Sequence, residues 1–404
     1  MPGPDGDVDV DVVVCGYGPV GAVLAARLGA FGLRVLVVDR EATPYPLPRA
    51  VAADDEVQRL LARTAPGLLE GAVCGPAVRF VDRGRRPLGM VRFPAAADGT
   101  AGLAFFSQPL LESRLRTHVD GLPAVTVQLG IALTGWHQDP GGITVRISDG
   151  SSVRARWLVG CDGASSFVRR QAGVAFRGRD LADRWLVVDV AGEVADRRDF
   201  TYTCDPDLPQ VDLPTPGGHR WEWLLRDPTP DRTSPDRTAP DPAVQDRAAH
   251  DPELLLRRDI DPGSVRVVRA TTYRYGARRA ERWQVGRVLL AGDAAHTMPP
   301  FAGQGLGAGI RDAWSLSWRL ANGDPSGYQA ERASHVRAAT RLSLLLGTIL
   351  QAGTLGTSRD LLLRSVFRSP VLGPWLRRGG PRTTDSGVLS SYDAWLDRTR
   401  REPR

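Results

Sequence analysis

Asp293 closes an apolar run, Val288-Leu-Leu-Ala-Gly292, and is followed by His296, Pro299-Pro300, Phe301 and glycines at 303, 305, 307 and 309. A carboxylate at a strand end can accept hydrogen bonds from a polyol, and bare glycine backbone can approach a flat ring and aim N–H groups at it. The pattern predicts a cofactor loop. Asp162-Gly163 has a similar setting, since it ends the run Trp157-Leu-Val-Gly160-Cys161 and opens a helix through Val168-Arg169. Open α/β sheets bind their ligands at such strand ends.

The amino-terminal segment supplies the elements that position a dinucleotide. Val10-Asp-Val-Val-Val-Cys15 reads as a buried strand, and it leads into Gly16-Tyr17-Gly18-Pro19-Val20-Gly21. A helix through Leu33, a second strand Arg34–Val38 and Asp39 follow. Strand, glycine turn, helix, strand and a carboxylate about 20 residues after the glycines form the dinucleotide-binding fingerprint in its required context. Asp39, with Arg40 beside it, is the expected contact to a ribose hydroxyl. Only one such fingerprint occurs, because the glycines at 303–309 lack the strand-to-helix spacing of a second, so a second nucleotide would bind transiently.

In this order the three motifs resemble the single-component flavoprotein aromatic hydroxylases of the para-hydroxybenzoate hydroxylase type. The branch that contains hydroxyphenylpropionate and polyketide-tailoring hydroxylases is the nearest likeness. The resemblance covers residues 8–350 and includes Pro48-Arg49-Ala50, Asp54-Asp55-Glu56, Gln108 through Glu112, Leu115-Arg116, Cys204-Asp205-Pro206 with Gly217-Gly218, and Tyr328 through Arg337. It implies that Gly16, Gly18, Pro19, Val20 and Gly21 bind the adenosine end of FAD. It implies further that Asp162 and Gly163 touch both FAD and NAD(P)H, and that Gly292 and Asp293 hold the ribityl chain. Arg49 is then expected at a phosphate of FAD or NAD(P)H, Gln108 and Arg116 on the FAD entry side, and Pro300, Phe301, Gly303, Gly305 and Leu306 beside the isoalloxazine. NADPH and NADH both remain open, with family habit favouring NADPH.

The implied fold is α/β, a Rossmann-like FAD-binding domain (8–73, 97–176 and 265–350) interleaved with a mainly β-sheet substrate domain (74–96 and 177–264). C-terminal helices over 351–404 follow. Strands such as Trp185–Asp189, Phe200–Tyr202 and Arg220–Leu225 fit a half-buried sheet whose apolar face would be the substrate wall. Residues 226–252, rich in proline and charge with a Pro-Asp-Arg-Thr repeat, read as a disordered solvent loop. Relatives in this branch continue into a thioredoxin-like domain, which is expected to be absent here, and the oligomeric state is left open.

Composition narrows the chemistry. A chain of 404 residues that is 42% hydrophobic can bury a large core. All 52 basic residues are arginine, so Schiff-base chemistry and lysine general bases are excluded. The net charge of +6 is spread among 46 acidic residues without a basic stripe, which argues against a nucleic-acid partner. No signal-like basic start or long apolar run occurs, so a membrane partner is not expected and the expected location is cytoplasmic. The cysteines at 15, 74, 161 and 204 lack metal-ligand spacing and read as reduced core thiols, so no metal site is expected.

The expected reaction is hydroxylation of a phenolic or polycyclic aromatic through a flavin C4a-hydroperoxide, with dioxygen and NAD(P)H consumed. The protein's part is to bind, orient and exclude water. No catalytic base stands out; His296, Pro300, Tyr202 and Tyr273 are candidates at the reacting centre, and Trp221, Trp223 and Phe301 for the substrate wall. Two alternatives accompany this reading. One is a flavin-dependent halogenase, whose Trp-x-Trp-x-Ile-Pro is only partly matched by Trp221-Glu-Trp223-Leu-Leu-Arg226 and whose lysine is missing. The other is a catalytically silent flavin-fold protein that binds a pathway intermediate.

Overall fold

The computed structural model describes residues 8–47, 49–195, 197–225, 251–352, 356–377 and 387–401. The expected loop 226–252 thus falls almost wholly outside the described residues, as does Pro48. Val10–Cys15 is a central strand, and its last four residues are buried as a parallel sheet covered on both faces requires. It pairs in parallel with Val35–Asp39 on one side and Ser152–Gly160 on the other. The sheet continues to Val125–Leu129 at one end and to Val288–Leu290 at the other, again in parallel.

That order aligns three sequence-distant strand ends. Cys15 lies in register with Gly160, and Gly160 with Leu290, so the turns that follow emerge side by side at one sheet edge. The first helix, Pro19–Ala30, begins with Pro19 in its first turn and ends before Leu33, because Gly32 takes a left-handed φ of 79°. Helix Gly305–Ala321 packs against it and is buried from Gly307 to Arg319 and Leu320. A helix that is mostly apolar all round lies inside, and the few charges it carries must then find buried partners.

A second sheet has seven strands in the order Arg266–Tyr273, Arg184–Ala191, Gly218–Leu225, Gln210–Thr215, Phe200–Cys204, Ala77–Asp82, Pro87–Arg92. All neighbours are antiparallel except Phe200–Cys204 with Ala77–Asp82. Arg266–Tyr273 falls beyond the domain boundary expected at residue 265, yet its hydrogen bonds to Arg184–Ala191 place it in this sheet. One face packs Trp185, Phe200, Tyr202, Val211 and Leu213 with Phe301; the other packs Trp221, Trp223, Leu186 and Val188 with Leu255 and Leu256.

Helices Tyr328–Gln351 and Gly356–Arg368 follow, and Val388–Arg401 lies back on the first unit through Tyr392 and Trp395, which meet Trp314 and Phe31. Among the described residues no helix is long and apolar enough to cross a membrane. Cys15 and Cys204 are buried thiols, but Cys74 is exposed, which corrects its reading as a core residue. It sits on a two-residue strand, Val73–Cys74, too short to bury both of its faces.

Candidate functional site

Between the sheet edge and the seven-stranded sheet lies a cleft of about 1340 Å³. Gly18, Pro19 and Val20 line it from the first turn, Gly163 from the second, and Asp293, Pro300, Phe301, Gly303, Gly305 and Leu306 from the third. Arg49 and Gln108 complete this wall. The three motifs therefore share one site because their strands are parallel neighbours.

The glycines divide by what surrounds them. Gly16 has φ 103°, and a Cβ there would press on the Cys161 carbonyl; a Cβ on Gly21 would overlap the carbonyl oxygen of Gly16. Both positions permit strand, turn and helix to pack. Gly18 and Gly305 face open space instead, so a ligand can approach their backbone closely. Neither Gly18 nor Gln304 caps its helix with a side chain, which leaves amide N–H groups at both helix starts directed outward.

These residues match the FAD binding domain family over residues 9–342. The chain belongs to that family. It is 36% identical to the 3-(3-hydroxy-phenyl)propionate/3-hydroxycinnamic acid hydroxylase of Mycobacterium avium (strain 104), over 92% of this chain and 67% of that protein. Curated relatives from two other mycobacteria are matched over 65% and 64% of their length, so the chain spans about two thirds of the proteins it resembles. Among solved structures, p-nitrophenol 4-monooxygenase PnpA from Pseudomonas putida DLL-E4 superposes with a TM-score of 0.75 at 23% identity, covering 98% of this chain and 99% of that one. Aklavinone-11 hydroxylase, solved with FAD and aklavinone, gives 0.70 at 25% identity over 87% and 71%.

The cradle suits the family's cofactor: an open glycine turn at a helix start for a pyrophosphate, and a carboxylate at the next-but-one strand end for a polyol. Asp293 opens onto the cleft while protein encloses its other sides. That enclosure pushes its carboxyl above the ordinary carboxylate value, although His296 and Arg49 pull in the opposite direction. Asp39 accepts hydrogen bonds from the Tyr17 and Glu41 amides at 2.5 and 2.9 Å. Arg116 donates to the Tyr17 carbonyl at 3.0 Å and stacks on that ring, and Gln108 bridges the Ala50 amide and Glu112.

Several expectations need correction. Asp162 does not line the cleft; its carboxylate accepts from Ser166 Oγ and the Val168 amide, pinning the start of its own helix. Arg40 is a surface residue paired with Glu41 at 3.2 Å. His296, a candidate at the reacting centre, is buried and absent from the cleft lining; its Nε2 meets Asp312 Oδ2 at 2.7 Å, so it braces the loop. Tyr202 is likewise buried and donates its hydroxyl to the Phe301 carbonyl, fixing that residue at the cleft wall. Trp221 and Trp223 are fully buried on the far face of the sheet, where Trp223 Nε1 donates to Gln210 at 3.0 Å. Their neighbours Arg220 and Glu222, of opposite parity on the same strand, face the cleft. Phe301 and Tyr273 do line it.

The structure adds two sets of residues that carried no expected role. On helix Gly305–Ala321, Arg311 bonds Asp54 at 2.7 Å and Glu56 at 2.6 Å. Asp312, next to it, accepts from Arg332 Nε at 2.8 Å, His296, and the Gly292 amide at 3.0 Å. All four side chains around these two pins are nearly inaccessible. The signal was present: charges inside an otherwise apolar helix must find buried partners. In the sheet, Arg220 forms a two-pronged pair with Asp189 at 2.7 and 3.0 Å, and Glu222 accepts from the Tyr273 hydroxyl at 2.9 Å.

Proposed function

We propose that this chain is an FAD-dependent, NAD(P)H-driven monooxygenase that hydroxylates a phenolic or polycyclic aromatic compound. The observation that carries this reading is the cleft. At about 1340 Å³ it exceeds the ~300–1000 Å³ of a site for one small ligand, which leaves room for a flavin ring and a second flat molecule. One wall is backbone and carboxylate; the other is an apolar sheet face interrupted by a few polar groups.

In this reading the amides of Gly18, Val20 and Gly21 hold the pyrophosphate, Asp39 and Arg116 the adenosine end, Asp293 the ribityl chain, and Pro300 through Leu306 flank the ring. Bound FAD would supply transfer of hydride from NAD(P)H and delivery of one atom of dioxygen. The protein's share is to hold the aromatic against the cleft wall that Phe301 and the sheet face build together, where Tyr275 and Trp185 fix the Phe301 ring edge-on at 5.3 and 5.2 Å. Dependence on NAD(P)H fits a cytoplasmic location. The proportion of each relative matched makes activity the point to test.

Purified protein should carry a flavin spectrum and oxidise NAD(P)H faster with some member of a phenolic and polycyclic panel. Labelled dioxygen should then place one atom in the product. Oxygen derived from water, or no oxygenated product across the panel, would refute the monooxygenase reading in favour of a flavin-fold protein that only binds its ligand.

A further inference from the structure

A phenol attacks an electrophilic oxygen far better as phenolate, yet its hydroxyl ionises only near a pH of about 10 by analogy with tyrosine. Something in the cleft has to take that proton. Among the described residues three carboxylates line the cleft: Asp293 at the strand end assigned to the ribityl chain, Asp180, and Glu222. Asp180 is held by both Nε and Nη2 of Arg278, at 2.8 and 2.6 Å, and is exposed at the rim. Glu222 is different. It projects from the middle of the seven-stranded sheet, beside Val187 and Val211 on adjacent strands, and only 12% of its side chain is exposed.

We propose that Glu222 takes the hydroxyl proton of the aromatic substrate, with Tyr273 and Arg220 holding its carboxylate in place; the assignment rests on the hydroxylase reading above. The geometry divides the carboxylate's two oxygens. Oε2 accepts from the Tyr273 hydroxyl at 2.9 Å, while Oε1 faces Arg220 Nη1 at 3.7 Å. Arg220 is itself fixed by Asp189 and by the Arg49 carbonyl at 2.8 Å, so it cannot swing away.

The transfer balances within the site. The substrate O–H bond breaks, its electron pair stays on the substrate oxygen, and the proton bonds to a Glu222 oxygen. One negative charge moves from carboxylate to phenolate, so the field of Arg220 stabilises both states. The titratable and charged groups facing Glu222 are Arg220 on its own strand, Asp189 on the next, and Arg269 and Tyr273 beyond it, with the Tyr273 hydroxyl in contact; Tyr202 and Tyr275 also feel its charge. Burial raises the Glu222 pKa, with Asp189 adding to the rise, while Arg220, the Tyr273 hydrogen bond and Arg269 oppose it. A carboxylate raised in this way is a stronger base than one in water.

The test uses the FAD-loaded enzyme and its Glu222→Gln, Glu222→Asp and Tyr273→Phe variants. It compares kcat/KM against pH for any panel phenol that accelerates NAD(P)H oxidation. The parent should show an acidic limb above the ordinary carboxylate range, rising as Glu222 loses its proton. Glu222→Gln should lose that limb and fall on the order of 10²–10⁴-fold near neutrality, recovering as pH approaches the phenol's own pKa. Glu222→Asp should restore part of the rate. Tyr273→Phe removes a bond that lowers the Glu222 pKa, so its limb should move to higher pH, and this variant serves if Glu222→Gln does not fold. An unchanged limb in Glu222→Gln, or a loss that is uniform in pH, would overturn the assignment.

If no phenol is turned over, the holoenzyme is titrated with 4-nitrophenol and its bound phenolate absorbance followed. A phenolate signal at pH values where free 4-nitrophenol is protonated, abolished by Glu222→Gln, would sustain the base assignment while the hydroxylase reading falls. No such signal would overturn both.

Discussion

Asp312 ties three elements together, and removing it should be costly in a way that geometry specifies. Its side chain is inaccessible and serves Arg332, which is inaccessible too, along with His296 and the Gly292 amide. In Asp312→Ala the Arg332 guanidinium would keep its carbonyl contact to Ala308 at 3.3 Å but lose its carboxylate. Breaking a buried pair from one side costs about 3–5 kcal/mol, because the other charge is left uncompensated. At about 1–2 °C per kcal/mol for a chain of this size, the melting temperature should fall by roughly 3–10 °C. Removing both charges in Asp312→Ala/Arg332→Leu should recover at least about 1 kcal/mol of that loss. The pH dependence has a definite sign. Burial alone would raise the Asp312 pKa, yet His296 and Arg332 outweigh it and hold the pKa below the ordinary value. The stabilisation is therefore full above the unfolded pKa of about 3.9 and fades as pH falls through the folded one, so parent and Asp312→Asn should converge in acid. Calorimetric melts at several pH values, with FAD content measured alongside, decide the matter. A melting temperature within about 1 °C of the parent, or strictly additive single variants, would refute the reasoning.

Asp293→Ala should leave a folded but largely colourless protein, since loss of a charge-assisted hydrogen bond of about 1.5–3 kcal/mol lowers FAD affinity by one to two decades; parental FAD content on purification would count against the ribityl assignment. Trp223→Phe should lose about 1–2 kcal/mol of stability with its bond to Gln210 while leaving aromatic-stimulated NAD(P)H oxidation within about twofold, and a changed substrate preference would return Trp223 to the substrate wall. Gly21→Ala should disrupt the first turn, because its Cβ meets backbone at Gly16 that cannot move without displacing the strand end. Expression as a flavin-loaded protein of parental stability would show that the turn relaxes.

How much of this was legible beforehand follows from the range of the interactions. The strand–glycine turn–helix–strand unit at 10–39 is local, and its apolar runs, Gly16, Gly21 and Pro19 dictate strand, close packing and helix start without reference to the rest of the chain. The motifs at Asp162-Gly163 and Gly292-Asp293 were legible for the same reason, as was the exclusion of lysine chemistry. Tertiary structure alone set the partners of Arg311 and Asp312, which lie up to 257 positions away, and supplied Asp312 as the group through which His296 braces its loop. It also decided which face of Gly218–Leu225 meets the cleft. Period-two alternation separates Arg220 and Glu222 from Trp221 and Trp223, yet it cannot say which set is inside, because both faces of this sheet are covered. The aromatics went beneath Leu255 and Leu256, where they could be fully dehydrated, and the charges went to the cleft, where Asp189 and Tyr273 from neighbouring strands could satisfy them.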